Sequence, residues 1–124
     1  MTANGHDERD GSTAQFVARG EGEVLRLCAV LSLGMCEAIS QGLVGPEYAC
    51  HRLFGPALLA RARAAGADDA FAEALNLATE LDAVARLAPD ALASSVDDLK
   101  RRLLQNLGKI VPGAIEGEKW LVTR

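Results

Sequence analysis

Apolar residues recur in this chain at steps of three and four, the spacing that gathers them on one side of a helix. Val24, Cys28, Leu31, Met35 and Ile39 form one such face, broadened by Leu27 and Ala38. Phe71, Leu75, Ala78, Leu81 and Ala85 form a second, and Val96, Leu99, Leu103 and Leu107 a third. The apolar residues are mostly Ala and Leu, the strongest helix formers, while aromatic residues make up only 4% of the chain. The pattern predicts an all-α fold, a compact bundle of four to five helices.

Glycine and proline mark where the helices stop and start. Gly42 supplies a stop for the first helix, which begins near Glu21 with Glu21 and Glu23 at the positive end of its dipole. Pro46 and Pro56 each follow a glycine and suit a first helical position, opening short helices over Tyr48 to Phe54 and Ala57 to Ala65. Asp68 or Asp69 caps a longer helix that runs to Pro89. Ser94 or Ser95 caps the last, unless Leu92, which is in register with its stripe, draws the start back toward Pro89. Asp97–Arg101 and Asp98–Arg102 pair along it, and Gly108 ends it. Short connections make neighbouring helices antiparallel.

A chain of 124 residues has room for one domain with a core of its own. Residues 1–15 are polar and without apolar period, which predicts a disordered tail. Residues 16–108 form the helical domain. Residues 109–124 form a C-terminal tail that either stays free or docks through Ile115, Trp120 and Leu121.

The net charge is −4, and it is unevenly spread. From Asp68 to Asp98 the acids Asp68, Asp69, Glu73, Glu80, Asp82, Asp90, Asp97 and Asp98 face the single base Arg86, the wrong sign for binding nucleic acid. Arg52, Arg61 and Arg63 make a smaller basic cluster that reads as a solvated face. Three cysteines give no disulfide framework, and their apolar surroundings suit buried free thiols in a reducing cytosol. Val24 to Met35 is too short to span a bilayer and is preceded by acids where a signal peptide has bases. The expectation is a cytoplasmic chain that binds neither membrane nor nucleic acid.

No residue pattern points to chemistry. Cys50 and His51 are the types of a nucleophile and its base, but adjacent helical residues project about 100° apart. Cys28, Cys36, Cys50 and His51 are zinc-ligand types without clustered short spacing. Glu37, Glu80 and Asp82 would make a carboxylate trio only if their helices converged, and the Glu-x-x-His motif of di-iron bundles is absent. Glu37 reads best as a boundary carboxylate bonded to a helix end or an arginine. Gly20-Glu21-Gly22 and Gly42-Leu43-Val44-Gly45 lack the spacing and strand context of a phosphate loop. These readings predict no catalytic residues, no metal and no cofactor.

The stretches Ser32 to Val44, Glu47 to Pro56 and Ala78 to Leu99 resemble a family of short helical bacterial proteins catalogued as a domain of unknown function. The resemblance covers residues 24–107 and rests on Glu37 after the first apolar run, Phe54 before a glycine–proline break, and Thr79 to Asp82. It implies a compact helical module with no assigned enzymatic chemistry. Small size, an acidic stretch and absent catalytic motifs then predict a protein-binding module. Its type would be an immunity or antitoxin protein holding a basic toxin domain through Asp68, Asp69, Glu73, Glu80, Asp82 and Asp90. The alternative is a self-associating structural or regulatory module, a homodimer built on an apolar helix wider than one stripe.

Overall fold

The computed structural model describes residues 11–111, 113 and 115–122. Most of the predicted 1–15 tail lies outside the described residues. Six α-helices make up the bulk of these residues: α1 (Glu21–Ser40), α2 (Pro46–Arg52), α3 (Pro56–Ala64), α4 (Asp69–Thr79), α5 (Leu81–Leu87) and α6 (Leu92–Lys109). A 3-10 turn over Pro89–Ala91 joins the last two. Two two-residue strands, β1 (Gln15–Phe16) and β2 (Leu121–Val122), pair antiparallel with Gln15 opposite Val122. The fold class is all-α.

The breaks fall where glycine and proline put them. Pro46 and Pro56 open α2 and α3, and Gly42 and Gly66 take positive φ just past the ends of α1 and α3. Asp68 caps α4, its Oδ1 accepting the Phe71 backbone N–H at 2.9 Å. The segment read as one helix from Asp68 to Pro89 divides at Glu80, whose N–H bonds to Leu77 O at 3.0 Å, and α5 begins at Leu81. No glycine or proline marks that turn.

α6 begins at Leu92, as its register with the stripe suggested, and Ser94 donates to Ala91 O instead of capping. It also runs through Gly108 to Lys109, so Gly108 is not the stop that sequence assigned to it. Gly34, by contrast, is interior to α1, where glycine is about 1 kcal/mol less favourable than alanine.

The core lies along the seam of α1 and α6, closed by α3 and α4. Phe54, Phe71, Leu75, Ala78, Leu81, Val96, Leu99 and Leu103 are buried in it. On α1 the buried line is not the expected Val24–Cys28–Leu31–Met35–Ile39 stripe. Ala29, Ser32 and Cys36 are fully buried, Cys28 and Ile39 nearly so, and Leu31 only half. The deepest positions of α1 therefore carry small side chains. The two helices run antiparallel. Lys100 Nζ donates to Glu37 Oε1 at 2.8 Å near one end, and Arg26 Nη2 to Val111 O at 2.9 Å near the other.

The C-terminal segment docks at the start of α1. Trp120 Nε1 donates to Glu23 Oε1 at 3.2 Å, the β1–β2 ladder extends as Val17 N–H to Trp120 O at 2.7 Å, and Ile115 stays fully exposed.

Candidate functional site

α4 turns Phe71, Ala72, Ala74, Leu75 and Ala78 inward and leaves Asp69, Glu73, Asn76 and Glu80 outside. The outward four are spaced by four, three and four, so they share one stripe of the helix. The stripe holds three of the six acids expected to bind a partner. The structure distributes those six unequally. Arg102 Nη1 donates to Glu73 Oε1 at 3.2 Å while its Nε holds Asp98 at 2.9 Å, so one guanidinium spans α4 and α6. Asp68 is occupied by its cap and lies 4.0 Å from Lys109 Nζ. Asp82 lies 3.7 Å from Arg86 on α5. Asp69, Glu80 and Asp90 are exposed, and no ion pair reaches them among the described residues.

The other candidates separate in space. Cys28 and Cys36 are buried inside α1, where burial raises both thiols, Cys36 to about 11. Cys50 is half-buried and its thiol points at the end of α4, 3.7 Å from Ala78 O and 3.9 Å from Thr79 O. Burial also raises it, away from the thiolate a nucleophile needs. His51 is exposed on the far side of α2, and Arg52 stacks 5.4 Å over the Tyr48 ring. Among the described residues no three of His, Cys, Asp and Glu converge on a point that would hold a metal ion.

Glu37 is a boundary carboxylate, but its partners are a lysine and an amide, not a helix end or an arginine. Hydrogen bonds from Lys100 and then Gln41 hold it below the usual carboxylate range. It stands apart from Glu80 and Asp82, so the carboxylate trio does not assemble.

Two features escaped the sequence. One is the Arg102 bridge, which needs α4 beside α6. The other is an open cleft of about 610 Å³ between the C-terminal segment and the start of α1, walled by Val17, Arg19, Glu23, Glu118, Lys119 and Trp120. Its charges are mixed in sign, Arg19 and Lys119 beside Glu23, Glu116 and Glu118. Strands of two residues leave no periodic signal from which that cleft could be read.

No helix among the described residues is long and apolar enough to cross a membrane. No curated protein and no solved structure matches the chain. A family model does: described as a protein of unknown function (DUF3969), it matches residues 19–122, nearly the whole of the described bundle. The chain therefore belongs to the DUF3969 family.

Proposed function

We propose that this protein is a cytosolic protein-binding module that takes a basic partner on the outer stripe of α4, in the manner of an immunity or antitoxin protein neutralising a bacterial toxin. The observation that carries this reading is the spacing of Asp69, Glu73, Asn76 and Glu80, all exposed, the first three on one line of a capped helix and Glu80 at its C-cap. The line is about 16 Å long, the rise of eleven helical residues. Among the described residues only Glu73 on it has a cation within reach, and none reaches Asp90 beyond α5. An acidic stripe raises the encounter rate with a basic surface and rejects acidic ones. The absence of convergent acid, base and nucleophile among the described residues favours binding over catalysis.

The test uses the full chain, tagged and recovered from its native host with what it holds. Once a basic partner is in hand, stopped-flow association is compared between wild type and the double variant Asp69→Asn, Glu80→Gln. The reading expects a slower association rate with a flatter salt dependence, and an unchanged rate contradicts it. Neither residue is buried, so the fold survives the change.

A further inference from the structure

β1 and β2 meet beside the start of α1, and little holds them there. Each is two residues long, and a ladder that short is not stable by itself. Gln15, Phe16 and Leu121 are exposed, Trp120 and Val122 are only half-buried, and no residue of either strand belongs to the core. Two hydrogen bonds tie the C-terminal side to α1, and both come from one ion pair. Glu23 accepts from Arg26 and, at 3.2 Å, from Trp120 Nε1, while Arg26 Nη2 donates to Val111 O at 2.9 Å. We propose that β1, β2 and Trp120 form a flap latched by the Glu23 carboxylate, which opens from α1 as one unit while the six helices stay folded.

The connections make the opening a single step. Val17 N–H donates to Trp120 O at 2.7 Å, so the N-terminal strand reaches the latch through the same residue. Release of the indole from Glu23 therefore frees both strands together. Arg19 and Glu118 lie 3.5 Å apart across the ribbon, both mostly exposed, so this pair travels with the flap and does not hold it to α1. Segments with few buried apolar contacts open at far lower free energy than the core. The bundle beneath is complete without the flap, since Ile110 packs against the core from the end of α6 and Val24 and Leu25 from the start of α1. Opening also changes the surface. Val17, Trp120, Leu121 and Val122 wall the open cleft together with Glu23, so the cleft exists only while the flap is closed. The latch thus makes and unmakes this cavity.

The chain has one tryptophan, so its fluorescence reports the latch directly. The test combines that emission with hydrogen exchange by NMR, on the full chain, at the Val17 amide and at the Leu99 and Leu103 amides inside α6. In wild type the Val17 amide exchanges far faster than those of α6, while Trp120 emission stays blue of its value in denaturant. Glu23→Ala speeds Val17 exchange ~10-fold and moves the emission red, with α6 exchange changed by no more than ~3-fold. Glu118→Gln leaves all of these as in wild type. A Val17 amide that exchanges only at the α6 rate overturns the proposal, since the ribbon then opens only with the whole fold. So does a Glu23→Ala chain in which Val17 exchange or Trp120 emission is unchanged, or in which Val17 and α6 exchange speed up equally. A Glu118→Gln chain that behaves like Glu23→Ala moves the latch to another residue and overturns it too.

Discussion

α4 and α1 each press one side against α6, yet they turn opposite chemistries to solvent. α4 follows the ordinary rule for a surface helix, with alanine, leucine and phenylalanine inside and carboxylates outside. α1 breaks it. Small residues fill its deepest positions, and Leu27, Val30 and Gly34 face outward between two ion pairs. The contrast leaves two unlike outer surfaces on one scaffold, a carboxylate stripe on α4 and an apolar flank on α1.

Leu103→Ala strikes the floor that both helices share. Leu103 is fully buried, and its truncation lowers unfolding free energy by about 2–5 kcal/mol in urea, with one transition if α1 and α4 belong to one cooperative core. Two transitions would mean that the two regions fold as separate units. Asp68→Ala removes only the α4 cap and costs about 1 kcal/mol in the same measurement. Gly34→Ala acts on α1 alone and in the opposite direction. It raises stability by up to about 1 kcal/mol, and a loss would show that the glycine is required within the chain.

Much of this contrast is legible in the sequence. Asp68 as a cap, the prolines at first helical positions and the buried stripes of α4 and α6 all follow from local rules that tertiary structure did not override. The split at Glu80 was not legible, because Thr79, Glu80 and Leu81 carry no breaker and the turn is made by the packing around it. Gly108 misled for the converse reason: glycine signals a stop only where the backbone turns left-handed, and here it stays helical. The depth order on α1 is not legible in the apolar pattern, because Ala29, Ser32 and Cys36, the most buried positions, are small. The six acids looked like one patch in sequence, and only the placement of Arg102, Arg86 and Lys109 divides the paired from the unpaired.

The pH dependence sharpens the comparison further at smaller amplitude. Cys36 keeps its proton to about 11 when folded, while the unfolded thiol ionises at its ordinary, lower pKa. Stability from this group is therefore intact below that lower value and declines as pH rises toward about 11. Cys36→Ala removes this part of the alkaline decline in urea titrations. Glu37 has the opposite sign and the smallest effect. Its pKa is depressed in the fold, so its stabilisation is present above the ordinary carboxylate pKa and is lost as pH falls through the depressed one. Glu37→Gln makes acid unfolding slightly less steep, and an identical acid profile would show that the Lys100 contact is without energetic weight.

The central claim is that the outer stripe of α4 selects a basic partner. Its most direct measurement is quantitative mass spectrometry of what the full chain retains in its native host, wild type beside the Asp69→Asn, Glu80→Gln variant at equal expression. The account predicts one stoichiometric, basic protein on the wild type and its depletion on the variant. A partner retained equally by both, or an acidic one, would contradict it.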